Sequence, residues 1–151
     1  MPNWCQNVFQ VEGDRSELDK FIDAVKSEDE PLSFASTVPE PETDEYKNSI
    51  NSPSPFPLWY DWRVENWGCK WDVGNVSLED WGDNQIRFIF DTPWGPPVEW
   101  LGNTCHKFPE LTFTLDYREC GMGFQGYVEC SEGKVVKNQE VEFRPTQHDS
   151  F

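Results

Sequence analysis

Tryptophans interleaved with amide and amino side chains are the residues of this sequence best suited to bind a ligand. Half of the eight tryptophans fall between Trp59 and Trp71. Indole rings stack on flat or apolar groups, and nearby amide or ammonium groups then fix the orientation of a ligand. If folding brings them together, these side chains predict a pocket for a base, a sugar or a peptide. The candidate residues are Asn3, Trp4, Asn66, Trp67, Lys70, Trp71 and Trp94.

The same residues also fit a purely structural role. Most aromatic side chains pack protein cores, and asparagine side chains commonly bind loop backbone. The tryptophans would then pack one face of a sheet without forming a site. The sequence leaves both interpretations open.

The acidity of the chain is its second feature with chemical consequences. Asp and Glu number 28 and Lys and Arg 12, for a net charge of −16. Such a charge repels phosphate backbones and predicts no direct binding to nucleic acid. Between Glu12 and Glu45, twelve acidic side chains stand against three basic ones. This excess predicts either a solvated surface or an acidic face that docks on a basic protein. The candidate residues for that face are Asp19, Asp23, Glu28, Asp29, Glu30, Glu40, Glu42, Asp44 and Glu45.

Catalytic and metal-binding patterns are missing from the sequence. His106 follows Cys105, but neighbours on a helix point in different directions, and no Ser-His-Asp order, phosphate loop or H-E-x-x-H is present. The five cysteines are odd in number and contain no C-x-x-C pair, which favours free thiols in a reducing cytosol. We therefore expect a protein that is not an enzyme, with no cofactor and no metal site.

The N-terminus has neither a basic region nor an apolar run, and no stretch approaches the roughly 20 apolar residues of a membrane span. We therefore expect a cytoplasmic protein that is not associated with a membrane.

Hydrophobic periodicity predicts the elements that position the candidate residues. Alternation predicts a strand at residues 4–11, and a stripe of apolar residues predicts a helix that ends near Ser27. An extended segment after Gly68 and a strand at 85–91 form a predicted hairpin. Further predictions are a helix at 97–108, a strand at 111–118, a terminal hairpin at 124–143 and a frayed tail at 144–151.

Residues 31–67 are predicted to be an insertion. Its proline-rich part, 31–57, is typical of a loop. Leu32, Phe34 and Val38 suggest a short extended piece, and residues 58–67 suggest a short helical turn. The loop is either functional or a tolerated surface insertion.

Without these additions the order is β-α-β-β-α-β. It predicts one α+β domain over residues 1–151 with the ferredoxin-like split βαβ fold, an antiparallel sheet with both helices on one face. The long insertion follows the first helix, and the C-terminal hairpin is extra. In this topology the N-terminal strand is central, and the strand after Gly68 lies close to it.

Four segments resemble the YubB-like family of plasmid and phage proteins: residues 1–7, 66–72, 90–97 and 117–126. The resemblance implies a ferredoxin-like domain, a bacterial host cytoplasm and no assigned chemistry. Together with the acidic face, it suggests an accessory protein that binds a host protein with a basic surface. Such a protein could inhibit a nucleic-acid-binding defence or replication factor by imitating DNA. The alternatives are a small-ligand or nucleotide-binding domain that uses the tryptophans, and a structural phage component.

Overall fold

A six-stranded antiparallel sheet is the centre of the structure, a computed structural model that describes residues 3–54, 57–80 and 82–142. The strands are β1 (Trp4–Glu12), β2 (Ser77–Asp80), β3 (Gln85–Pro93), β4 (Thr112–Glu119), β5 (Phe124–Ser131) and β6 (Lys134–Glu142). Their order in the sheet is β2-β3-β1-β4-β5-β6. The predicted α+β ferredoxin-like fold is confirmed, and β1 lies between β3 and β4, as expected.

Helices α1 (Arg15–Val25) and α5 (Val98–Cys105) cover one face of the sheet. Alternate residues of β1 face them, so Phe9 is buried while its neighbours point to the other face. The Phe9 ring stacks on Phe113 of β4 at a centroid distance of 5.8 Å. It also meets Phe21 of α1 edge to face at 6.2 Å and Trp100 of α5 at 5.5 Å. These aromatic contacts hold both helices on the sheet.

The proline-rich part of the insertion differs from the predicted loop, because it contains two short helices, α2 (Phe34–Thr37) and α3 (Asp44–Ser49). The helical turn predicted at residues 58–67 is observed as α4 (Leu58–Asn66). The extended piece predicted at Leu32, Phe34 and Val38 is wrong, since Phe34 begins α2. Leu32, Phe34 and Tyr46 are buried. These buried side chains are spaced through a polar, proline-rich sequence and hold the insertion against the rest of the domain. The composition of the segment alone did not predict this packing.

Asp72 attaches the insertion to the segment that follows it. Its carboxylate accepts hydrogen bonds from the Ser33 hydroxyl (2.6 Å) and from the backbone N–H groups of Phe34 (2.7 Å) and Ala35 (3.2 Å). The first N–H groups of a helix have no partner within the helix, so an acceptor is needed there. A residue distant in sequence therefore caps α2.

The segment after Gly68 also differs from its prediction. Residues 68–76 are irregular, and only Ser77–Asp80 pair as a strand, so Gly74 marks no bulge. β2 pairs with β3 and not with β1. The helix expected to reach residue 108 ends at Cys105, and the tail predicted at 144–151 lies outside the described residues. No helix in the described part of the chain is long and apolar enough to cross a membrane.

Candidate functional site

Four of the predicted ligand-binding residues meet at one end of β1. We call Trp4, Lys70, Trp71 and Trp94 the tryptophan–lysine cluster. The Trp4 and Trp71 ring centroids are 6.0 Å apart. Lys70 Nζ lies 4.8 Å from the centroid of the Trp71 ring and 5.7 Å from that of Trp94. Trp4 and Trp94 are still 45% and 50% exposed, so the cluster presents indole surface to solvent beside a positive charge.

An unusual backbone turn presents Trp94 to solvent. Trp94 has a φ of 69°, in the left-handed region that a bulky side chain rarely adopts. Gly95 N–H donates to the Pro93 carbonyl at 2.9 Å, which closes a three-residue γ-turn around Trp94. Trp94 N–H donates to the Asn3 carbonyl at 2.8 Å. Strained backbone of this kind clusters at functional sites, so it marks position 94 as a functional candidate.

A buried polar chain fixes the turn from beneath. The Thr92 hydroxyl donates to the Gly95 carbonyl at 2.6 Å, and Asn7 Nδ2 donates to Thr92 Oγ1 at 2.9 Å. Asn7 and Thr92 are almost fully buried, where hydrogen bonds are strong and their loss is costly. Residues of β1 and β3 therefore hold the Trp94 turn in place.

Arg63 of α4 positions the other side of the cluster. Its Nη1 donates to the Lys70 carbonyl at 3.2 Å, and its guanidinium lies 4.8 Å from the Trp59 ring centroid. Glu40 pairs with this guanidinium at 2.9 Å and also accepts a hydrogen bond from the Tyr46 hydroxyl. Burial and the Glu40 carboxylate raise the pKa of Tyr46 to about 12. The insertion thus supports the backbone that carries Lys70.

A groove of about 410 Å³ lies beside Trp4 and Trp71 and is further lined by Ser77, Ile89 and Asp91 among others. Its volume falls within the range of small-molecule sites. Neighbouring atoms shield the Asp91 carboxyl from water and raise its pKa above the usual range of an aspartate. The groove combines indole rings with acidic side chains.

The remaining ligand-site candidates lie elsewhere or have structural partners. Trp67 is fully buried, and its Nε1 donates to the Val38 carbonyl at 2.9 Å. Asn66 Nδ2 donates to the Trp62 carbonyl at 2.8 Å at the end of α4. Asn3 contributes its backbone carbonyl to the Trp94 turn. The structural interpretation therefore fits Asn66 and Trp67, which do not join the tryptophan–lysine cluster.

The acidic candidates also divide. Glu40 belongs to the Arg63 pair, and Glu30 accepts a hydrogen bond from Val76 N–H at 2.7 Å. Asp19 pairs with Arg15, and Asp23 pairs with Lys26. The other candidates are exposed and form no ion pair with a described residue: Glu28, Asp29, Glu42, Asp44 and Glu45.

Sequence reasoning missed a second groove on the face of the sheet opposite α1 and α5. It encloses about 530 Å³, and its lining includes Arg87, Asp116, Arg118 and Tyr127. These residues occupy outward positions of β3, β4 and β5, which alternation assigns to solvent. Their proximity depends on strand order and register, so only an explicit pairing of the strands could have found it.

Four of the five cysteines are buried. All five are free, and only Cys120 is exposed. Burial raises the pKa of Cys69 to about 12, which keeps the thiol protonated and unreactive. No group of three or more potential metal ligands occurs among residues 3–54, 57–80 and 82–142.

A split βαβ sheet with an exposed aromatic–cation cluster defines an α+β protein of the ferredoxin-like class, with a potential binding surface at one end. The family described as "Ferredoxin-like domain in Api92-like protein" matches residues 66–151. The chain belongs to this family, since the match covers more than half of it. The predicted membership in a ferredoxin-like family is thereby confirmed in its general form.

A solved structure shares the fold along almost the whole chain. It is the crystal structure of the protein Api92 from Yersinia pseudotuberculosis, with a TM-score of 0.63 and 13% sequence identity. The likeness covers 97% of this chain and 100% of that one. No curated protein matches the sequence.

Proposed function

We propose that the chain is a non-enzymatic binding domain whose ligand site is the tryptophan–lysine cluster. One observation carries the proposal: Lys70 Nζ lies within 6 Å of two indole rings while Trp4 and Trp94 remain about half exposed. A cluster that served only packing would bury these rings. The strained turn at Trp94 supports the same conclusion, because a strained residue whose side chain stays exposed contributes little to packing.

The chemistry of the cluster defines the class of ligand. Exposed indoles stack on flat rings, and the Lys70 ammonium pairs with an anionic group. A cationic ligand would meet Lys70 at the ring faces and be repelled. The ligand is therefore a small molecule with a planar ring and an acidic group, such as a mononucleotide. Long nucleic acids stay disfavoured by the net charge of −16.

Titration of intrinsic fluorescence with mononucleotides and aromatic carboxylates tests this function. We expect quenching or a spectral shift with at least one compound, because three cluster residues are tryptophans. Lys70→Met keeps the aliphatic stem and removes the charge, so it should weaken binding about tenfold, which is ~1.4 kcal/mol. Lys47→Met, at an exposed position on α3, is the matched control and should bind normally. A spectrum that stays constant up to millimolar ligand would refute the proposal.

The exposed carboxylates favour a second candidate function, docking on a basic surface of a host protein. Glu28, Asp29, Glu42, Asp44 and Glu45 form no ion pair with described residues, so they remain available to a partner. In this proposal the protein is a phage or plasmid accessory factor related to YubB-like proteins. It acts in the bacterial cytoplasm and inhibits a defence or replication factor by occupying its nucleic-acid groove.

Charge reversal tests the docking function. The variant Glu28→Lys/Asp29→Lys should lose a partner that the wild-type protein retains from host extract at low salt and releases at high salt. Glu30 is left unchanged, because its carboxylate binds the backbone of Val76. Asp61→Lys/Glu65→Lys introduces the same charge change on α4 and should retain the partner. Equal retention by both variants would contradict docking through these acids.

A further inference from the structure

The strand β6 is the outer edge of the sheet and has an open side. It pairs with β5 along one side, and no described residue pairs with the other. All nine residues of β6 are exposed, including Val135, Val136 and Val141, the last at 57%. An edge of this length presents a row of backbone donors and acceptors to any strand that can reach it. The opposite edge, β2, has only four residues.

The regular part of β6 is compatible with pairing to itself. Pairing with β5 shifts register near Cys130, so the regular segment runs from Lys137 to Glu142. Lys137, Gln139 and Val141 pair with residues on the open face of β5, whereas Asn138 and Glu140 pair with residues on the helix face. Directly opposed residues of antiparallel strands point to the same face of the sheet. In a symmetric pair of β6 strands, an odd-numbered residue can therefore lie opposite only an odd-numbered residue, and an even-numbered residue opposite only an even-numbered one.

We propose that β6 pairs antiparallel with β6 of a second copy of the chain, with Gln139 on the two-fold axis. Lys137 of each copy then lies opposite Val141 of the other, and Asn138 lies opposite Glu140. The aliphatic stem of lysine covers the exposed valine, and the asparagine amide donates to the glutamate. The Gln139 side chains face each other and can exchange amide hydrogen bonds. No like charges are opposed within this segment, and the two sheets become one of twelve strands.

Glu140 has the acceptor capacity that this arrangement needs. Its Oε1 accepts a hydrogen bond from the Tyr117 hydroxyl at 2.9 Å within the same chain. A carboxylate offers about four acceptor positions, so Asn138 of the second copy can bind the other oxygen. Tyr117 also fixes the Glu140 side chain, which lowers the entropy lost on pairing.

Sedimentation equilibrium of the full chain from roughly 1 to 500 μM tests the pairing, since a short seam of this kind is expected to associate weakly. We expect a reversible monomer–dimer equilibrium. Val141→Lys places a lysine opposite Lys137 and should raise the dissociation constant about tenfold or more. Ile50→Lys, at a similarly exposed position on the insertion, should leave it unchanged.

The double variant Lys137→Glu/Val141→Lys distinguishes strand pairing from a general charge effect. It opposes glutamate and lysine in the proposed register and should restore at least the wild-type affinity. A protein that is monomeric at every concentration would overturn the proposal. A dimer that both Lys variants weaken equally, or that the double variant does not restore, would also overturn it.

Discussion

Trp67→Ala should lower the free energy of unfolding by about 3–5 kcal/mol, the range for removing a fully buried aromatic side chain. Trp67 is inaccessible to solvent and meets Phe34 at 5.8 Å and Trp62 at 5.5 Å. Its indole N–H also donates to the Val38 carbonyl, and the substitution removes this hydrogen bond as well. The ring joins the insertion to the rest of the core, so both should be weakened together.

Chemical denaturation with circular dichroism measures this loss. Trp94→Ala removes the same side chain from a half-exposed position and should change stability by less than about 1 kcal/mol. The two variants also test whether Trp67 is a packing residue and Trp94 a binding residue, because Trp94→Ala should weaken ligand binding. Similar losses of stability in the two variants would show that Trp94 is also a packing residue.

Gly126→Ala should destabilise the protein by about 2–4 kcal/mol, through overpacking and a lost hydrogen bond. Gly126 lies between Tyr117 of β4 and Glu140 of β6, and the Tyr117 ring crosses it to donate to Glu140. A Cβ atom at position 126 would overlap the Tyr117 hydroxyl and would lie 2.6 Å from the Gln139 carbonyl oxygen. The Gln139 carbonyl is part of the β5–β6 strand pair and cannot move without disturbing that pairing.

Gly74→Ala is the matched control, since a Cβ atom there meets nothing within 4 Å. It should be neutral or slightly stabilising, because alanine restricts the unfolded chain. Thermal unfolding of both variants compares the effects directly. Equal melting temperatures for the two would mean that the Tyr117 side chain does not cross Gly126 in solution.

Periodicity predicted the sheet and the two covering helices because each buries a single face. In β1, the buried positions Cys5, Asn7, Phe9 and Val11 alternate with more exposed ones, and this period of two can be read from the sequence. α1 buries Leu18, Phe21 and Val25 at helical spacing. Such elements can be assigned from the spacing of apolar residues, because the buried face determines both whether the element is a helix or a strand and which side of it faces the core.

The insertion could not be predicted in the same way, because long-range partners stabilise its helices. α2 has four residues, too few for stability on its own, and depends on the Asp72 carboxylate 38 residues from Phe34. Residues 68–76 form no ladder, although their apolar positions resemble those of a strand. Hydrogen bonds between distant segments leave no periodic signal in the sequence.

The candidate site was predicted in part for a related reason. Composition identified Trp4, Lys70, Trp71 and Trp94 as chemically suitable, and the fold brings them together. Trp67 has the same side chain, four residues before Trp71, but faces the core. Which side of an irregular segment a tryptophan faces depends on the packing of the insertion, which residue type does not encode.

The positive φ of Trp94 affects which residue type evolution would favour at this position. Glycine adopts positive φ freely, whereas the left-handed conformation costs a bulky L-residue on the order of 1–2 kcal/mol. Selection for stability alone would favour glycine at this position. Tryptophan there exchanges folding stability for an exposed indole, which is the cost expected if the proposed ligand stacks on that ring.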